Sequence, residues 1–235
     1  MARVRIIPCL LLRGHGLVKT RKFGDPVYLG DPVNVVRIFN EKEVDELVIL
    51  DIDASKEGRD PAYEVIAEIA GECFMPIAYG GGIRTLDQAR RLIRCGVEKV
   101  VINTAATESY DVIREISQVF GSQAVIGAID AKKTLFGAYR VAAKSASVEM
   151  KMSLDEHVQN LVAAGAGEIF LNSVDLDGVM GGYDLSLIRR VSQQTSVPVI
   201  ACGGAGTSEH FEAAIREGGA SAVAAGSMFV FHGRL

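Results

Sequence analysis

The sequence has no CxxC pair and no cluster of histidines. Its four cysteines, Cys9, Cys73, Cys95 and Cys202, are far apart, and so are His15, His157, His210 and His232. Structural zinc needs clustered Cys or His ligands, so the spacing argues against a metal site. Cys9 and Cys202 lie in apolar, strand-like runs and read as buried free thiols. No apolar run approaches the roughly 18 residues of a membrane span. The opening MARVRIIPCLLLRGHG has too short an apolar part and no small-residue cleavage site, so no leader is expected and the chain reads as cytoplasmic. A net charge of −4 gives no basic surface for nucleic acid. Linkers, low-complexity segments and charge runs are missing too. That predicts one domain over residues 1–235, with no cofactor implied.

What is present is a repeat. Pro76, Gly81 and Gly82 recur 122 residues later as Pro198, Gly203 and Gly204. Glu46 and Asp53 recur as Glu168 and Asp175; Ile93, Arg94 and Gly96 recur as Ile215, Arg216 and Gly218. Short β-branched runs alternate with amphipathic stretches, as in parallel βα units. Strands are expected at 5–11, 46–51, 76–79, 99–103, 124–130, 168–172, 197–201 and 222–225. Helices are expected at 34–43, 62–70, 85–95 and 208–217, with Thr85 and Ser208 as N-caps. Gly96 and Gly218 follow helix ends, where a left-handed residue favours glycine. Eight such units predict an α/β fold, a (β/α)8 TIM barrel with half-barrel duplication. Its active site belongs at the C-terminal ends of the strands. Two long loops, 13–31 and 132–153, read as substrate covers or as plain surface insertions; the second is irregular or hairpin-like. The chain's end at Leu235 predicts a short or absent final helix.

That rule selects the polar residues. Gly81 and Gly82 follow strand three, and Asn103 and Thr104 follow strand four. Gly203 and Gly204 follow strand seven, and Gly226 and Ser227 follow strand eight. Glycine lets backbone N–H groups approach an anion closely, and paired cradles point to phosphate. Gly178, after strand six, joins this set; tight turns alone are the other reading. Asp51, Asp130 and Asp177 end strands two, five and six and are candidates for acid–base chemistry or for loop capping. Asp51 and Asp53 flank Ile52, so a continuing strand would turn only one of them inward. Lys19 in the first long loop is a candidate clamp on substrate. At the opposite mouth, Arg5, Glu46, Lys99 and Glu168 stand at strand starts, where two acids and two bases make a salt-bridged plug.

The segments RIIPCL, DELVILDIDAS, GGGI, VEKVVINTAA, FGSQAVIGAIDAK, AGAGEIFLNSVDLDG, GGYD and GGAG closely resemble the cyclase subunit of imidazole glycerol phosphate synthase, HisF, from Arg5 to Phe231. The resemblance implies two phosphate sites and ammonia supplied by a HisH-like glutaminase docked on the bottom face. It makes Arg5, Glu46, Lys99 and Glu168 the gate to an ammonia passage, Glu98 an acidic partner contact, and Asp130 one of two catalytic aspartates. The other aspartate is missing: Pro8-Cys9-Leu10-Leu11 ends in leucine. Asn172 also replaces the family's threonine, and AAKSASVEMKMS replaces a Gly-Lys-rich cover. These departures resemble a HisF-like branch tied to surface-polysaccharide genes. That branch is associated with converting an N-acetyl nucleotide sugar to an acetamidino sugar. The histidine-pathway cyclase, or a barrel that only activates a glutaminase, are the alternatives.

Overall fold

The computed structural model describes residues 4–231. Eight parallel strands close a barrel: β1 (Arg5–Arg13), β2 (Leu47–Asp51), β3 (Ile77–Gly80), β4 (Lys99–Ile102), β5 (Val125–Lys133), β6 (Glu168–Ser173), β7 (Val199–Cys202) and β8 (Ala222–Ala225). Each pairs with the next, and β8 pairs with β1. Helices pack outside: α1 (Pro32–Glu41), α2 (Tyr63–Glu72), α3 (Leu86–Arg94), α4 (Asp111–Phe120), α5 (Leu154–Ala164), α6 (Leu185–Ser192), α7 (Ser208–Arg216) and α8 (Ser227–Phe231). The (β/α)8 expectation is met. Met1–Arg3 and residues 232–235, including His232 and the end at Leu235, lie outside the described residues. Among the described residues no helix is long and apolar enough to cross a membrane.

Strand alternation builds two cores. Inward side chains, including Ile7, Val48, Ala78, Val101, Ile126, Ala128, Phe170, Ile200, Ala222 and Ala224, fill the barrel axis. Outward ones, such as Ile49, Tyr79, Ile102, Ile129 and Leu171, pack against the helices. Burial of this outer shell is what holds short helices in place, since isolated helices of about ten residues are marginal.

Several boundaries differ from expectation. Thr85 caps α3 with a reciprocal capping box to Gln88. The N-cap of α7, however, is Thr207 and not Ser208, and α1 starts at Pro32 behind Asp31, which accepts from the Asn34 amide. Gly96 is left-handed (φ +101°), but beyond α7 Gly219 (φ +79°) holds that role rather than Gly218. The first long loop is no loop. Strand Gly16–Lys19 folds back on β1 and pairs with Val27–Gly30. The second is a hairpin, with Tyr139–Ala143 antiparallel to β5 and Val148–Glu149 beyond it. Both extensions prolong barrel strands above the rim, where no periodicity distinguishes a hairpin from a loop.

Candidate active site

A cavity of about 340 Å³ opens at the C-terminal ends of the strands. Its floor includes Cys9, Val101, Ala128, Phe170 and Cys202, and its walls carry Leu11, Lys19, Asp51, Asn103, Asp130, Asn172 and Asp177. Cys9 and Cys202 are buried free thiols. The Cys9 contact and burial push the Cys202 thiol well above its ordinary value.

Asp130 lies between two amides. Asn103 Nδ2 donates to its Oδ2 at 2.8 Å, and Asn172 Nδ2 reaches its Oδ1 at 3.5 Å. Burial pushes the carboxyl up to about 7; the two amides oppose the shift, and the Asp177 charge adds to it. A carboxyl in that range can both give and take a proton near neutral pH.

Asp177 is held differently. Lys19 Nζ lies 3.2 Å from Oδ1 and Thr20 Oγ1 donates to Oδ2 at 3.1 Å. The Lys22 amide bonds to the Asp177 carbonyl, and Gly178 (φ +69°) lies so close under Thr20 that a Cβ would stand 2.6 Å from its carbonyl oxygen. Lys19 thus clamps a neighbouring loop, and its side chain still borders the cavity.

Asp51 borders the cavity with its oxygens engaged. Oδ1 accepts from the Asp53 and Ala54 amides, and Arg59 stands 3.4 Å away. The carboxylate therefore anchors the turn after β2. Asp51 and Asp53 both border the cavity, contrary to the alternation expectation. The strand ends at Asp51 and the chain turns, so the period of two no longer applies. Asp53 pairs with Arg13 at 2.8 Å.

The two glycine cradles differ. Gly81, Gly82, Asn103 and Thr104 border the cavity, as does Gly226. At Gly81 (φ +124°) a Cβ would fall 2.6 Å from the Asp51 carbonyl oxygen, so only glycine allows this approach. Gly203, Gly204, Ser227 and Gly178 do not border the cavity. The Gly182 amide donates to the Gly204 carbonyl at 2.8 Å, so the chain after β6 covers that cradle. Ser227 Oγ is buried and has no hydrogen-bond partner among the described residues. The β5 hairpin crosses the first cradle. Ser145 Oγ donates to the Ile52 carbonyl at 2.6 Å, and the Lys144 amide to Thr104 Oγ1 at 3.1 Å. Thr20, Arg59 and Ser145 carried no sequence signal, because each acquires its partner only through loop closure.

At the opposite mouth the four charges form a closed ring. Arg5 bonds Glu46 and Glu168, each at 2.6 Å, and Lys99 bonds them at 3.0 and 2.8 Å. Burial would raise the Glu168 carboxyl, but Arg5 and Lys99 hold it below its ordinary value. Glu98 is exposed just outside the ring.

A family model described as histidine biosynthesis protein matches residues 5–235. Relatives cover nearly their whole length. One from Pseudomonas aeruginosa, provisionally named imidazole glycerol phosphate synthase subunit hisF2, is 55% identical over 100% of this chain and 93% of its own. One from Leptospira borgpetersenii, provisionally named subunit HisF of the same synthase, is 47% identical over 99% of this chain and 92% of its own. Imidazole glycerol phosphate synthase subunit HisF of Exiguobacterium sibiricum is 42% identical over 97% of this chain and 91% of its own. The chain belongs to the histidine biosynthesis protein family.

Proposed function

We propose that the chain is the HisF-like synthase subunit of a glutamine amidotransferase pair. A HisH-like glutaminase covers the bottom mouth, with Glu98 as a contact, and releases ammonia at the ring of Arg5, Glu46, Lys99 and Glu168. Between ring and cavity the axis is apolar, with Ala78, Ala128, Ala222 and Ala224 among its side chains. Neutral ammonia crosses such a layer at far lower desolvation cost than ammonium. Gly81, Gly82 and Thr104 hold a phosphate of the substrate, and the second cradle, Gly203, Gly204 and Ser227 beside Gly226, takes a second anion when the chain at residues 178–182 moves off it.

The acceptor is an N-acetyl nucleotide sugar, converted to an acetamidino sugar for surface polysaccharide. Ammonia adds to the acetyl carbon, the C–N bond forms, and the amide oxygen leaves as water. Asp130 carries two protons in turn from the added nitrogen to that oxygen, one to form the tetrahedral hydroxyl and one to release it as water, and ends in its starting state. Asp177 and Lys19 orient the substrate. The observation that carries this reading is Leu11 on the cavity wall, where the resembled cyclase has its second aspartate. One acid–base carboxyl suffices for an exchange that returns its proton.

The relatives' names favour a second reading, the imidazole glycerol phosphate synthase reaction. The test supplies purified chain, glutaminase and glutamine with N-acetyl nucleotide sugars or with the histidine-pathway substrate, and follows products by mass spectrometry. An amidino product, one mass unit lighter than the amide, is expected. Imidazole glycerol phosphate at a normal rate sinks the proposal. Faster glutamine hydrolysis with no product on either substrate means the barrel only activates its partner.

A further inference from the structure

The tip of the β5 hairpin departs from ordinary turn chemistry. In the turn at residues 134–137 the Gly137 amide donates to the Thr134 carbonyl at 2.9 Å, and the Ala138 amide donates to Thr134 Oγ1 at 3.1 Å. Gly137 is left-handed (φ +83°), as a three-residue hairpin connection requires. The two corners of such a turn are usually Asp, Asn, Ser or Pro. Here they are Leu135 and Phe136, 102% and 99% exposed. No other large apolar side chain among the described residues stands so far out in water. The hairpin is braced from below. The Lys133 amide donates to Asp175 Oδ2 at 2.7 Å, and Tyr139 Oη donates to Asp184 Oδ1 at 2.9 Å. The fold therefore presents this apolar tip on a fixed support.

Charge on the segment runs against the rest of the chain. Residues 132–151 carry five basic side chains, Lys132, Lys133, Arg140, Lys144 and Lys151, against Glu149 alone. That is a net +4 within a chain of −4, so the remainder carries −8. Lys132 pairs with Glu149 at 3.3 Å. Lys133, Arg140, Lys144 and Lys151 are exposed and make no ion pair among the described residues. Lys133 and Arg140 flank the tip, one on each strand.

We propose that this hairpin docks the barrel peripherally on an anionic lipid surface, with Leu135 and Phe136 below the headgroups and Lys133 and Arg140 against the lipid phosphates. A bilayer offers an apolar phase beneath a negatively charged plane, the complement of an apolar tip with basic flanks. Two side chains are far too little apolar area for a protein interface, which takes about 800 Å² per partner. Nucleic acid supplies the negative charge without the apolar phase, and a second copy of the chain brings the same positive charge. The hairpin rises from the strand-end rim, so docking leaves the bottom mouth free. The inference does not depend on the acceptor proposed above.

The chain has no tryptophan, so Phe136→Trp places a single fluorescent reporter at the tip. The intact variant is titrated with vesicles of phosphatidylcholine and phosphatidylglycerol in equal parts, and with vesicles of phosphatidylcholine alone. A blue shift with the anionic vesicles that weakens as salt rises, and little shift with the neutral ones, is expected. In vesicle sedimentation, the double change Leu135→Ser and Phe136→Ser should weaken binding more than about tenfold. Lys133→Gln and Arg140→Gln should each weaken it roughly fivefold. These four side chains make no hydrogen bond among the described residues, and Thr134 and Gly137, which close the turn, are kept. No blue shift on anionic vesicles, or equal binding by the serine variant, overturns the proposal. A blue shift that grows with protein concentration in the absence of lipid assigns the tip to a second copy and overturns it too. So does a shift produced by an oligonucleotide and not by vesicles. No substrate enters these measurements, so their failure leaves the synthase reading intact.

Discussion

Lys19 Nζ lies 3.2 Å from Asp177 Oδ1, joining side chains 158 residues apart. Both are buried, so the pair fastens the β1 extension over the chain that follows β6. Removing one member of a buried pair strands the other charge, at a cost of about 3–5 kcal/mol. Lys19→Met should lower unfolding free energy by up to that amount, and Lys19→Met with Asp177→Leu should recover most of it. Urea titrations of the two variants check this; equal losses in both would show that the pair is not coupled.

Asp130 titrates higher in the folded chain, at about 7, than in an unfolded one, near 3.9. Between these values the folded state binds more protons, so this group's contribution to stability falls as pH rises from about 4 to 7. Asp130→Asn should therefore gain stability relative to the parent at pH 8 and not at pH 4. It should also lower synthase turnover roughly 10²–10⁴-fold. Melting curves at both pH values and a rate assay test the two halves separately.

His157 in α5 is fully buried, and its Nδ1 shares a 2.8 Å hydrogen bond with Tyr110 Oη. Burial lowers its pKa to about 4, from the ordinary 6.5. The unfolded chain binds the extra proton first, so stability should fall as pH drops from 6.5 toward 4. His157→Gln should flatten this part of the pH–stability curve. A slope unchanged from the parent would assign it to other groups.

Glu46 is 2% exposed and bonds both cations of the bottom ring. Glu46→Gln should cost about 3 kcal/mol, because Arg5 and Lys99 lose half their compensation. If the ring gates ammonia, glutamine-driven turnover should fall while turnover with added ammonium salt persists. Equal loss in both assays would make the ring purely structural.

Leu11→Asp restores a carboxylate to the cavity wall. No gain is expected with an N-acetyl nucleotide sugar. A large gain in imidazole glycerol phosphate formation, measured with ammonium salt, would favour the cyclase reading instead.

The repeat and the strand–helix alternation made the barrel legible, because parallel strands buried on both faces read as short apolar runs between amphipathic helices. Asp130 was legible for the same reason: a carboxylate closing AVIGAI has nowhere to go but the rim. The bottom ring could be read as charges at strand starts, and its closure by Arg5 and Lys99 on the same two glutamates followed from balance of charge. The resemblance to a family sharpened the roles, and Leu11 stood out only against it.

Other features depend on chain segments that meet after closure. Periodicity did not reveal that Gly16–Lys19 folds back on β1, because a four-residue strand carries no measurable period. Nor did it show that Gly182 covers Gly204 while Gly81 stays open, since the two glycine pairs read alike in sequence. The sequence by itself determined the barrel, its polar ends and the Asp130 carboxyl at the rim, all set by local patterning. Only the tertiary structure decided that Asn103 and Asn172 turn their amides to Asp130. Hydrogen-bond direction between strands is a property of the closed barrel, not of any one segment.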